Sequence, residues 1–445
     1  MTTTLPAARP TLTVRGHWID DWRPEDADFW RSGGARVARR NLIFSVLSEH
    51  IGFSVWTLWS VLVLFLGPAY GVDPAGKFLL TALPALLGAA LRVPYSLAVA
   101  SFGGRNWTII SAALLLVPSV TAAFLIRPGV SYSTLLVLAA LAGVGGGNFA
   151  SSMTNINAFY PHRLKGWALG VNAGGGNLGV AVVQLVGLFV LATLGAGHPG
   201  AVAGIYIPLI VLATLAAAGY MDNLSQVRNE KRAMRDASRQ AHTWIMSLLY
   251  IGTFGSFIGF GFAFGQVLQV QFHAQFGTPI KVAYLTFLGP LLGSLIRPVG
   301  GALADRFGGA RVTFVTFIAL AGGTAVVLLA AQRHSLPLYL VGFIALFVLS
   351  GIGNGSTYKM IPSIFKARFR DDERAADRIT GAVIGIAGAV GAFGGVLVNL
   401  AFRQSFLSTG NANAAYLAFI GFYALCVLVT WVVYLRSTDR REVRI

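Results

Sequence analysis

"LRVPYSLAVASFGGRNWT" (residues 91–108) and "IRPVGGALADRFGGARVT" (residues 296–313) are the same sentence written twice: an arginine inside an apolar run, then Phe-Gly-Gly ten residues later. The two arginines, Arg92 and Arg297, stand 205 residues apart, and a second pair of stretches, "GGGNFASSM" and "GIGNGSTYKM", sets Asn148 and Asn354 at an offset of 206. A nearly constant offset means a duplicated chain. Outward from these landmarks the sequence is a series of apolar runs, each of the roughly 20 residues needed to cross about 30 Å of hydrocarbon as a helix. We count twelve between residues 42 and 435. The polar stretch "MDNLSQVRNEKRAMRDASRQAH" divides them six and six. The expected organisation is an all-α membrane protein: an N-terminal segment (1–41), a first six-helix half (42–220), a linker (221–242), a second half (243–435) and a short tail (436–445).

Composition agrees with a bilayer. Of 445 residues, 55% are hydrophobic and 11% charged, too apolar for an ordinary soluble domain. The net charge of +17 would suggest a nucleic-acid partner in a soluble protein, but its distribution argues against one. Lys77, Arg127, Lys281, Arg333 and Arg403 lie in alternate loops, and Arg92, Arg297 and Lys359 lie inside spans. The remaining lysines and arginines fall in the N-terminal segment, the tail and every second loop. Such an asymmetry predicts that both termini are cytoplasmic and that the chain sits in the cell membrane. The first 40 residues carry Pro, Asp, Glu and Arg without an apolar stretch, so a cleavable signal is not expected. A single cysteine, Cys426, excludes a disulfide framework or thiolate cluster. No cofactor or metal is expected, and no nucleophile-base pair or metal triad suggests an enzyme.

Parallel six-helix halves with a site between them are the plan of the major facilitator superfamily. "GGALADRFGGAR" (residues 300–311) resembles that superfamily's loop motif, in which glycines permit close packing while Asp and Arg make charge contacts at a cytoplasmic gate. That resemblance makes Asp305 a gating residue. The first copy, "VASFGGRN", has no aspartate at this place.

Charges within spans are expensive and commonly face a substrate path. Arg92 is ten residues, about 15 Å of helical rise, from the end of its run, too deep for simple snorkelling. Arg297 is seven residues from Ala304, where reaching the interface is the competing reading. The repeat places the two arginines opposite each other. Two converging guanidiniums call for an anion between them, and planar forked donors suit a small oxyanion. In "GWALGVNAGGGNLG" (166–179), Gly166, Gly170 and Gly174 are spaced by four, as are Gly175 and Gly179, a pattern that lets helices approach closely in lipid. Asn177 lies two turns beyond Gly170 and places an amide on the same face. The eleventh run, "GAVIGIAGAVGAFGG" (381–395), which includes Gly385, is its glycine-rich counterpart. Tyr250, Phe254 and Phe257 recur at i, i+4 and i+7, a face able to clamp a flat anion. Asn148, Ser152 and Asn155 form a polar stripe that either lines a cavity or bonds between helices.

"GWALGVNAGGGNLGV" and "GAVIGIAGAVGAFGG" resemble the paired nitrate signatures of the nitrate/nitrite porter family within the major facilitator superfamily. "LRVPYS", "GGGNFASSM" and "HTWIMSLLYIGTFGSFIGF" are similar to that family as well, and the similarity runs from about residue 41 to 435. The resemblance implies transport of nitrate and nitrite, with substrate contacts at Arg92, Arg297, Asn177, Phe149, Tyr250 and Phe254. It covers both nitrate/nitrite exchangers and nitrate/proton symporters. Exchange is favoured electrostatically, because two unshielded arginines resist closing around an empty site. Glu49, with Phe53 and Trp56 on its face, either carries a proton or neutralises a cation such as Lys359. Other readings are a carrier of another small anion and an anion-binding sensor. "GGGNLG" matches a dinucleotide fingerprint only formally, since no strand precedes it.

Overall fold

The computed structural model describes residues 14–227 and 231–436. Among them, twelve helices are long and apolar enough to cross a membrane, from Ala27–Phe65, the first span, to Asn413–Leu435, the twelfth. The all-α expectation is met. Large apolar side chains such as Phe124, Phe189, Leu215 and Val341 stand exposed on the outside of the bundle, as a lipid-facing surface requires.

The first helix begins well before the apolar run that announced it. Asp26 caps it, accepting from the backbone N–H groups of Asp28 (2.9 Å) and Phe29 (3.1 Å). Ahead of it lies a small sheet that periodicity did not reveal. β1 (Val14–Arg15) pairs antiparallel with β2 (Trp18–Ile19), which pairs parallel with β3 (Asn223–Leu224). This sheet ties the N-terminal segment to the chain just beyond the sixth span, Pro199–Tyr220. Asp222 reinforces the tie, accepting from Arg40 (2.6 Å) and Asn41 (2.8 Å) of the first span.

The repeated Phe-Gly-Gly makes the same turn twice. Gly103, at φ +88°, joins the second span (Pro74–Phe102) to the third (Gly104–Leu125), and Gly308, at φ +91°, joins the eighth (Pro279–Phe307) to the ninth (Gly309–Gln332). Only glycine adopts this backbone region cheaply.

Between the halves, the second span packs along the eleventh (Arg378–Thr409), and the fifth (His162–Thr193) along the eighth. Within the second half, the seventh span (Ala241–Gln271) meets the eleventh where Gly255 and Gly394 lie backbone to backbone, which fixes the eleventh at the boundary. These seams bring residues of the two copies to one central region.

Candidate functional site

Arg92, on the second span, is 1% exposed, so its guanidinium must find partners inside the protein. Nη1 donates to the Gly388 carbonyl of the eleventh span at 2.9 Å. Nε and Nη2 meet no hydrogen-bond partner. Around the guanidinium lie the rings of Phe149 (4.6 Å), Phe254 (4.9 Å) and Trp56 (5.5 Å), which attract the cation through their π faces and exclude water. The result is a positive group with two donors unspent in a nearly dry setting.

Arg297, its counterpart on the eighth span, is 8% exposed. Nη2 donates to the Tyr250 hydroxyl at 3.3 Å, Nη1 is unpartnered, and the Tyr358 ring lies 5.7 Å away. Tyr250 stacks on Phe254 at 5.2 Å with 14° between planes, and Phe254 stacks on Phe149 at 6.1 Å. One aromatic column from spans four and seven therefore links both arginines. Phe257 leaves that column. The turn Ile251–Gly255 is π-helical, and a wider turn breaks the i, i+4, i+7 register expected of a continuous α-helix. Phe257 packs instead edge-on against Phe347.

A cavity of about 880 Å³ extends from Arg297 and Tyr358 to the end of the bundle where His162, Lys165 and Lys366 lie. A smaller space of about 180 Å³ sits beside Arg92, Phe149 and Gly388 and shares Met153 and Tyr358 with the larger one. Arg92 thus lines the smaller space and Arg297 the larger one, while their unspent donors remain buried.

The glycine-rich fifth span divides by face. A methyl group at Gly175 would strike Val46, and one at Gly179 would strike the His50 carbonyl, so these glycines do permit close approach to the first span. Gly170 and Gly174 do not: both line the large cavity and have open space where a side chain would go. Gly385, on the eleventh span, borders the smaller space and is equally unobstructed. Close packing does not account for these three in this open arrangement. Asn177 is 1% exposed and its Oδ1 has no partner.

Glu49 does not meet Lys359. Lys359 pairs with Asp305 at 2.7 Å, both half-exposed, so the aspartate of the loop motif contacts a lysine of the tenth span (Leu336–Arg368) rather than an arginine. Glu49 is fully buried. Its Oε2 accepts from Ser152 of the fourth span and from Asn172 of the fifth, the latter at 2.5 Å, while Oε1 is unpartnered. The polar stripe resolves into contacts between helices: Asn148 lies against Gly52, Asn155 against Gly104, and Ser152 on Glu49. Sequence reading missed Tyr358, Asn172 and Gly388. The first two carried a usable signal, an aromatic and an amide inside apolar runs, whereas a backbone carbonyl carries none.

Comparison with known proteins agrees with this architecture. Residues 50–399 match the Major Facilitator Superfamily model. The chain is 40% identical to the nitrate/nitrite transporter NarU of Escherichia coli K12, covering 94% of this chain and 96% of that one. It is 38% identical to NarU of Salmonella typhimurium, over 95% and 97%. With the probable nitrate/nitrite antiporter NarK2 of Thermus thermophilus the identity is 35%, over 96% and 98%. Among solved structures, the D-xylose-proton symporter superposes with a TM-score of 0.68 at 15% identity, over 89% of this chain and 97% of that one. A matched model spanning most of the spans, near full-length relatives and the shared fold together place the chain in the major facilitator superfamily.

Proposed function

We propose that this protein carries nitrate and nitrite across the cell membrane by alternating access, exchanging one anion for the other. The observation that carries the proposal is the pair Arg92 and Arg297. They come from equivalent places in the two halves, are buried together on one aromatic column, and retain the unpartnered donors Nε, Nη2 and Nη1. Buried donors left unsatisfied cost on the order of 1–3 kcal/mol each, and a small planar oxyanion supplies acceptors for all of them. The rings of Phe149 and Phe254 beside Arg92 and the Tyr250 hydroxyl beside Arg297 bound the place for such an anion, and we assign the Asn177 Nδ2 group as a further donor to it. The relatives named for nitrate and nitrite support the same substrate.

Both termini and the basic loops lie on the cytoplasmic side in this reading, so the cavity opens to the cytoplasm. Alternating access then requires the cavity-lining face of the fifth span, with Gly170 and Gly174, to close toward the second half while the opposite end opens. Exchange follows from charge. An occupied site holds an anion against two cations, whereas an empty one brings two cations together in a low-dielectric seam.

The deciding experiment is nitrate uptake by purified protein in proteoliposomes, comparing nitrite-loaded vesicles with empty vesicles under an inward proton gradient. Uptake is expected with internal nitrite. Rapid accumulation in empty vesicles that follows the proton gradient overturns strict exchange, and absence of nitrate movement in both overturns the substrate.

A further inference from the structure

The large cavity is open on a flank as well as at its end. Trp167 of the fifth span and Leu295 of the eighth line it, yet they are 59% and 57% exposed, as much as Phe189 (59%) and Leu215 (63%) on the outside of the bundle. The cavity therefore reaches the lipid-facing surface through a crevice between these two spans. Both sides of the crevice are smooth. Gly166, Gly170 and Gly174 of the fifth span and Gly301 of the eighth border the cavity, and none has an atom within 4 Å of the place where a side chain would begin. Close packing explains none of them. The rest of the wall is largely apolar, with Val171, Leu178 and Ile384 beside Leu295.

The open end has the opposite chemistry. Lys165 of the fifth span and Lys366 of the tenth stand there with His162, which faces Glu25 at 3.7 Å. Asp305 is the one carboxylate among the described residues of the cavity wall, and Lys359 pairs with it at 2.7 Å. On the same wall Thr380 of the eleventh span is 8% exposed, and its hydroxyl has no hydrogen-bond partner. A basic rim above an apolar slot that opens sideways into lipid matches a molecule with an anionic head and an apolar chain.

We propose that this crevice binds an anionic phospholipid, with the headgroup phosphate at Lys165 and Lys366 and one acyl chain along the glycine face between the fifth and eighth spans. Basic side chains at a membrane surface attract anionic headgroups. The chain covers apolar wall that would otherwise meet the water admitted at the open end, and the absent side chains give it width. A seated chain fills the space into which the fifth span closes, so the lipid stabilises the open form and leaves before the cavity shuts. The site does not depend on which anion is carried.

Lipid retention tests this. Purified protein stripped of lipid in detergent is titrated with dioleoyl phosphatidylglycerol, with dioleoyl phosphatidylcholine, and with glycerol phosphate, which has the head and no chains. Bound molecules are counted by native mass spectrometry while the unfolding temperature is followed. One phosphatidylglycerol per protein is expected to persist where further lipid is lost, held on the order of tenfold more tightly than phosphatidylcholine. It should raise the unfolding temperature, and glycerol phosphate should not. Gly170→Leu fills the groove and should abolish the retention. Lys165→Gln combined with Lys366→Gln should erase the preference for the anionic head. Equal retention of the two lipids by the parent overturns the headgroup assignment, and an equal effect of glycerol phosphate overturns the acyl-chain assignment. Undiminished retention in Gly170→Leu puts the lipid elsewhere on the bundle and overturns the crevice. If that variant fails to fold, the lysine variant decides, since an unchanged preference there overturns the proposal. No lipid retained by the parent overturns it outright.

Discussion

Arg92 and Arg297 occupy equivalent places in a duplicated sequence, but the molecule treats them differently. Arg92 is shut in by three rings and held by the Gly388 carbonyl. Arg297 is held by a tyrosine hydroxyl and borders the open cavity. The difference follows from the seams. The second span lies tightly along the eleventh, whereas part of the eighth span's inner face is open to the cavity. A pseudo-symmetric pair thus supplies one fixed cation and one that water reaches, and their substitution should have unequal costs.

The largest effect is expected at Arg92. Arg92→Lys keeps the charge but loses the fork, and its ammonium cannot reach the Gly388 carbonyl and an anion together. Nitrate binding should weaken by about 3 kcal/mol, on the order of a hundredfold, as expected when a buried charge loses its partners. Arg297→Lys should cost about half as much, because cavity water can solvate what the lysine fails to bind. Calorimetric titration of both variants with nitrate checks this. Equal losses, or a larger loss at Arg297, break the asymmetry.

How much of this was legible follows from what each residue type advertises. An arginine deep in an apolar run is conspicuous, and an approximate repeat points to its counterpart, so the pair and the architecture could be read from 445 letters. Phe149 came through motif resemblance alone, and Tyr250 and Phe254 through that resemblance and their helical spacing. Glu49 was visible as an acid in a span, but its surroundings were not, because Ser152 and Asn172 lie 103 and 123 residues away in sequence. Phe257 was misread because a π-helical turn leaves no obvious trace in a hydrophobic pattern. The glycines were legible as a group and misleading as individuals: spacing by four says that one face is smooth, not whether that face meets a helix or a cavity.

That division gives a second, smaller contrast within a single helix. Gly179→Ala drives a methyl group into the His50 carbonyl and should destabilise the protein by about 2 kcal/mol, the usual cost of overpacking. Gly170→Ala places its methyl in the open cavity. Removing a glycine from a helix interior there should stabilise by about 0.5–1 kcal/mol. Thermal unfolding of the two variants in detergent should therefore shift in opposite directions from the parent. A shift to lower temperature at Gly170 would mean that its face is packed in solution and that the cavity-open arrangement is not the stable one.

The least effect is expected where the two copies differ in a charge. The second copy has Asp305, paired with Lys359 between the eighth and tenth spans, while the first copy has none. In the first half the corresponding turn is secured by neutral acceptors: Arg105 donates to the Ala218 carbonyl at 2.6 and 3.1 Å, and Asn223 accepts from the Asn106 backbone. The side chains of Asp305 and Lys359 are 58% and 49% exposed, so water competes for both. A pair in that setting contributes about 0.2–1 kcal/mol and weakens with salt. Asp305→Asn should accordingly lower the unfolding temperature only slightly, with the difference shrinking at high ionic strength. Transport is the sharper readout, because the pair joins two helices of the same half at the open end. If it only braces that half, as the neutral contacts brace the other, nitrate exchange in Asp305→Asn stays close to the parent rate. A severe loss of exchange with unchanged stability would instead make the pair part of the closing movement, a duty the first half performs without an ion pair.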